Sequence, residues 1–149
     1  TGCWQPCHNC IDNCIHTFAG VRLRMKCAEI MRVQGHEEPT GTAKITPAYN
    51  LPCDFVIHTV GPIVRGRLTG KHCEQLKSCY RSCLELAVQS GVSSIAFCCI
   101  STGVFGFPQE NAAEIAVETI REFLKTHEIE VICNVFSEKD FDIYQRLLG

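Results

Sequence analysis

The 149-residue chain has only one tryptophan and three tyrosines, and it lacks any long apolar run. Its longest unbroken hydrophobic stretch is residues 95–100, far short of the ~20 residues a membrane-spanning helix needs. No basic segment followed by an apolar one opens it, so no signal peptide is visible. Neither sign of charge dominates: 14 basic and 16 acidic residues leave a net charge of −2. That is not the basic footprint of a nucleic-acid binder. A hydrophobic content of 46% excludes a charged, disordered chain. Neither a GxGxxG nor a GK[S/T] signature occurs, which argues against a dinucleotide fold and a P-loop NTPase.

What the chain has in excess is cysteine, 12 residues in all. That density approaches a disulfide scaffold of the secreted kind. Such scaffolds replace a missing core, and this chain is long and apolar enough to build one. Many of the cysteines fall inside helix and strand patterns, as small apolar residues do. A reducing, cytoplasmic setting is therefore expected.

The periodicity predicts helices over 11–18 and 21–34, the second ended by Gly35. Strands are expected over 43–49, interrupted by Pro47, and over 54–60, bounded by Pro52 and Gly61-Pro62. A helix over 71–90 carries Leu76, Cys79, Tyr80, Cys83, Leu84, Ala87 and Val88 at helical spacing. A buried strand over 94–100 follows. A helix from Pro108 to about His127 would bury Ala112, Ala113, Ala116, Ile120, Phe123 and Leu124. A second buried strand covers 130–136, and Ser137 to Asp140 resembles a capping box opening a last helix to Leu148. Strands alternating with helices imply an α/β layer structure with a mostly parallel central sheet. No repeat, low-complexity segment or linker interrupts the chain, so residues 1–149 are expected to form one domain.

Two stretches carry chemistry. Residues 101–106 place two glycines, two hydroxyls and successive backbone N–H groups after a strand and before a helix. Ligands bind at the carboxyl ends of strands in such sheets, and glycine lets a phosphate approach the backbone beside a helix N-terminus. An ordinary strand-to-helix turn is the competing reading. The second stretch, from Cys3 to His16, holds four cysteines and two histidines. Zinc takes thiolate and imidazole tetrahedrally. A disulfide and a fully structural four-ligand site remain open alternatives. Three ligands would leave an open, catalytic position. Asp12 follows at a helix start, where a carboxylate is favoured, and is suited to orient a water or hold a ribose hydroxyl. His16 lies one turn on and can pair with it. His58, in mid-strand, reads as a satisfied core residue, while His36, His72 and His127 read as exposed.

The chain resembles a macrodomain, the ADP-ribose-binding α/β/α fold. The motifs that carry the resemblance are Cys14-Ile15-His16 with Ala19-Gly20, residues 41–46, residues 56–62, residues 100–108 and residues 135–140. The first loop, residues 2–12, resembles that of the zinc-dependent microbial protein-ADP-ribosylhydrolases. The resemblance implies a three-layer sandwich with a mostly parallel, mixed sheet. It places zinc on Cys3, His8 and Cys10, with Cys7 and Cys14 as non-ligands. It puts Asp12 near the distal ribose in a catalytic role, and the diphosphate on Ser101, Thr102, Gly103, Val104, Phe105 and Gly106. Phe105 would lie against the distal ribose and Phe136 on the adenosine. Macrodomains begin with strands that this chain lacks before its first loop. The family pattern therefore implies a fragment, or strands supplied by a separate polypeptide.

The implied activity is zinc-dependent removal of mono-ADP-ribose from protein side chains, in the cytoplasm, without nucleic-acid or membrane partners. The implied substrate is a modified protein such as a lipoyl carrier acted on by a sirtuin-type transferase. Two other readings share the binding features: an ADP-ribose reader with a structural zinc, and a hydrolase of small ADP-ribose derivatives.

Overall fold

The computed structural model describes residues 10–149. Its described residues divide into two compact units: those up to Pro39 together with Lys44–His58, and Thr40–Ala43 together with Thr59–Gly149.

In the first unit, α1 (Ile11–Ala19) and α2 (Val21–Gln34) are separated by a single residue, Gly20. Gly20 sits at φ 85° and its N–H closes α1 on the His16 carbonyl. A Cβ there would stand 2.8 Å from Asn50 Nδ2, so the corner needs glycine for both conformation and space. Ala19, Leu23 and Cys27 form the core, and Ile15, Tyr49, Leu51 and Val56 pack against it. Burying a side chain such as Leu23 contributes about 1.5–3 kcal/mol.

β1 (Ala43–Pro47) pairs with β2 (Phe55–Thr59). Ala48 N–H donates to the Asp54 carbonyl and Gly41 N–H to that of Val60, so the pair runs antiparallel. β1 is shorter than the pattern predicts because Tyr49, at φ 55°, has left extended geometry.

The second unit holds α3 (Gly70–Gln89), β3 (Ser94–Phe97), α4 (Gln109–Leu124), β4 (Glu130–Cys133) and α5 (Glu138–Leu148). Thr69 caps α3 by accepting from His72 N–H, while the His72 ring accepts from Thr69 N–H. α4 packs against α3 and α5. The expected core of α4 is buried with two changes. Val117 joins it, and Leu124, in the last turn, is exposed, as is Val88 at the end of α3. Pro108 stands one position earlier than expected, as the N-cap of α4 with ψ 127°, rather than inside the first turn.

β3 and β4 are parallel, in the register Ser94↔Glu130 to Phe97↔Cys133. Both stop three residues sooner than the apolar runs suggest. The reason for β3 lies in Tyr80. Its buried hydroxyl donates to the Cys98 carbonyl and accepts from Ile100 N–H, each at 3.4 Å. The backbone beyond Phe97 is thus claimed by a side chain of α3 instead of a strand partner. Nor are the two strands buried on both faces among the described residues. The registered pair Ala96 and Ile132 is exposed, while Phe97 and its partner Cys133 lie on the opposite, more covered face.

Tyr80→Phe should therefore cost about 1–3 kcal/mol, because two part-buried backbone groups lose their partner. A denaturant melt monitored by circular dichroism checks this. An unchanged midpoint would contradict the role given to the hydroxyl.

Candidate functional site

The loop joining β3 to α4 is held in an unusual backbone state. Ser101 adopts φ 66°, a left-handed conformation that costs a non-glycine residue about 1–3 kcal/mol and persists only where neighbours impose it. Those neighbours are identifiable. The Ser101 carbonyl accepts from Phe107 N–H at 2.9 Å, and Gly103 carbonyl accepts from Gly106 N–H at 3.0 Å. Thr102 Oγ1 donates to the Cys99 carbonyl at 3.0 Å. From outside the loop, Val64 N–H donates to the Phe105 carbonyl at 2.8 Å. Gly106, at φ 69°, lies so close to the Val64 carbonyl that a Cβ would meet it at 2.9 Å. Gly61 is closer still: its Cβ would fall 2.1 Å from Ser101 Oγ and 2.8 Å from Ile100 Cγ2.

These bonds use the N–H groups of Thr102 and Gly106 and leave the three donors between them spare. Among the described residues, nothing accepts from the N–H groups of Gly103, Val104 and Phe105. Ser101 Oγ is buried and also without a partner. Consecutive unpartnered N–H groups before a helix N-terminus make an anion site, and a buried orphan hydroxyl is normally satisfied by something. The sequence singled out residues 101–106. It read Gly61-Pro62 only as a strand end and motif, and overlooked Val64 as an anchor. The strain at Ser101 leaves no mark in composition or periodicity.

Of the aromatics expected nearby, Phe107 is core, Phe105 is half-buried, and Phe136 is fully exposed. Phe136 immediately precedes the N-cap of α5, Ser137, whose Oγ accepts from Asp140 N–H and donates to Asp140 Oδ2. The buried Asp140 carboxylate also accepts from Gln109 Nε2 at 2.9 Å, tying the start of α5 to the start of α4.

In the first unit, α1 begins at Cys10, whose Sγ accepts from Asn13 N–H at 3.4 Å. A thiolate is favoured there by the helix N-terminus. Asp12 follows in the first turn, part-exposed, with Oδ1 3.6 Å from His16 Nε2. That is beyond hydrogen-bond length, and among the described residues neither His16 ring nitrogen has a hydrogen-bond partner. Burial pushes the His16 pKa down, with Asp12 opposing. His58 is driven further, to about 4, mainly by burial. Its Nε2 lies 2.9 Å from Thr46 Oγ1. His58 is thus half-buried rather than fully in the core, and with a pKa of about 4 it is neutral at pH 7.

Cys3 and His8 lie outside the described residues. Among the described residues, no group of three or more His, Cys, Asp or Glu side chains is placed to hold a metal. The ten described cysteines form no disulfide. Cys79 and Cys83 are buried in the α3 stripe, and burial raises both thiol pKa values, that of Cys83 to about 12. Cys14 is exposed.

The chain is thus α/β, with a loop of unpartnered N–H donors following the parallel strand β3. The Macro domain family model matches residues 3–116, and the chain is a member of that family. It is 63% identical over 151 residues to a protein-ADP-ribose hydrolase of Treponema medium, covering 100% of this chain and 58% of that protein. To a protein-ADP-ribose hydrolase of Staphylococcus aureus (strain MRSA252) it is 54% identical over 147 residues, covering 97% and 55%. The chain thus spans little more than half the length of these relatives. The solved Oceanobacillus iheyensis macrodomain with ADP superposes with a TM-score of 0.88 at 42% identity, covering 95% of this chain and 75% of that one.

Proposed function

We propose that residues 1–149 act as a single macrodomain, a three-layer α/β/α sandwich with a mixed sheet, that hydrolyses the bond joining mono-ADP-ribose to a protein side chain. The observation that carries the reading is the row of unpartnered N–H groups at Gly103, Val104 and Phe105, beside the orphan Ser101 hydroxyl. That donor set suits a diphosphate. The relatives named as protein-ADP-ribose hydrolases and the neighbour solved with ADP support it.

In this reading residues 101–106 hold the diphosphate, Phe105 lies against the distal ribose and Phe136 packs on the adenosine. The exposure of Phe136 leaves its ring available for that role. Asp12, part-exposed on the first turn of α1, orients the water that attacks C1″ or holds a neighbouring ribose hydroxyl. The bond from C1″ to the side-chain oxygen breaks, and water supplies the oxygen of free ADP-ribose. Cys3, His8 and Cys10 would hold zinc, a soft thiolate and imidazole set suited to that ion. Cys10 fits as a ligand because its Sγ stands at a helix N-terminus, where the thiolate is stabilised. Zinc, when bound, would supply Lewis-acid chemistry.

A reducing, cytoplasmic setting accompanies the reading because thiol ligands must stay reduced. A lipoyl-carrier protein modified by a sirtuin-type transferase is the proposed kind of substrate. Incubation with a mono-ADP-ribosylated carrier protein should release free ADP-ribose, measured chromatographically. Binding of ADP-ribose without release would overturn the hydrolase in favour of a reader.

A further inference from the structure

In the second unit, the loop between β2 and α3 carries Arg65 and Arg67, and the first turn of α3 adds Lys71, all exposed and, among the described residues, without an ion-pair partner. No acidic residue occurs from Thr59 to Cys73, although the chain as a whole carries a net charge of −2. Gly66, at φ 91°, turns the chain between the two arginines. Lys71 falls in the first turn of α3, which contains no acidic residue. A cation there is unfavourable beside the positive end of the helix dipole. Positive charge is therefore gathered on one short stretch with nothing internal to balance it. Beside it, Ile63 is 46% exposed.

The loop is not loosely placed. Arg65 directly follows Val64, whose N–H holds the Phe105 carbonyl at 2.8 Å and whose carbonyl abuts Gly106. The basic stretch thus begins where the anion-receiving loop ends. We propose that residues 63–71 form a docking surface for an acidic segment of the modified protein. The inference rests on the reading above, in which Phe105 lies against the distal ribose that carries the protein. The side chain leaving C1″ would then bring its flanking sequence over Arg65 and Arg67. An exposed isoleucine beside arginines suits a protein partner. Three cations without an aromatic platform in the loop are a poor footprint for a nucleic acid.

The test uses two synthetic peptides with one ADP-ribose on the same residue, one flanked by Asp and Glu and the other by Ser and Gly. Dissociation constants are measured by fluorescence anisotropy, with free ADP-ribose as the reference. The full chain should bind the acidic peptide about tenfold more tightly than the neutral one, and the difference should vanish at high salt. Arg65→Glu with Arg67→Glu should abolish or reverse the preference while leaving free ADP-ribose unaffected. Arg65→Gln with Arg67→Gln should give an intermediate result, which separates charge from any loss of folding. Equal affinity for the two peptides, or equal loss of peptide and free ADP-ribose, overturns the proposal. So does an oligonucleotide that competes as well as the acidic peptide. Failure to bind free ADP-ribose overturns the function on which the inference rests. Binding without hydrolysis removes only the hydrolase and leaves this inference to stand on the peptide constants.

Discussion

Gly61→Ala should weaken ADP-ribose binding by roughly 10- to 100-fold. The added Cβ would lie 2.1 Å from Ser101 Oγ and 2.8 Å from Ile100 Cγ2, neither of which is the end of a long, flexible side chain. Ser101 is already strained at φ 66° and its hydroxyl is buried, so it has little freedom to yield. The relief available is a shift of the loop, and that shift moves the N–H groups of Gly103 to Phe105. A hydrogen bond to a charged group contributes about 1.5–3 kcal/mol. Loss of one such bond accounts for the expected range, since about 1.4 kcal/mol is tenfold in affinity. Calorimetric titration with ADP-ribose measures it, and a thermal melt reports the overpacking cost of about 1–3 kcal/mol separately. The double variant Gly61→Ala with Ser101→Ala removes the 2.1 Å clash and should recover part of the affinity. Unchanged binding in the single variant would show that Gly61 does not set the loop.

Cys10→Ala should abolish release of ADP-ribose from a modified protein, by about 100-fold or more, while free ADP-ribose still binds. Two losses are combined in that substitution. One is the proposed metal ligand. The other is the cap of α1, since Cys10 Sγ accepts from Asn13 N–H. Loss of a cap costs about 1 kcal/mol in helix stability. Cys10→Ser separates them: the hydroxyl retains the capping acceptor, but it is a poor substitute for a thiolate on zinc. The serine variant should melt near the wild type, carry less zinc by atomic absorption, and turn over as poorly as alanine. Chelation of the wild type should reproduce the loss. Full turnover by a metal-free sample would overturn the zinc-dependent reading, and normal zinc content in the serine variant would remove Cys10 from the ligand set.

Much of the element order was legible because helical periodicity and turn residues are local signals. Leu76, Cys79, Tyr80, Cys83, Leu84, Ala87 and Val88 marked the buried face of α3, and all but Val88 are buried. Gly35 marked the end of α2, which it closes at φ 75°. Element ends were less legible. β3 was expected to reach residue 100 because its run is apolar throughout. It stops at Phe97 because Tyr80, distant in sequence, takes the next backbone groups. The exposed pair Ala96 and Ile132 has the same lesson: an apolar run does not reveal which face another element covers.

Read alone, the residues determined the α/β alternation, the helix cap at Ser137 and the division of the cysteines into core and loop groups, and they raised the loop at 101–106 as a candidate place for an anion. Each is encoded by neighbours within a few positions. Tertiary structure alone decided the state of that loop. The approach of Gly61 to Ser101, the bond from Val64 to Phe105, and the N–H groups left unpartnered all arise from segments some forty residues apart. It also decided that the pKa values of His16 and His58 are lowered, because burial disfavours the charged imidazole. Short-range pattern specifies which conformation a segment prefers, whereas strain, burial and unsatisfied donors exist only once distant segments pack together.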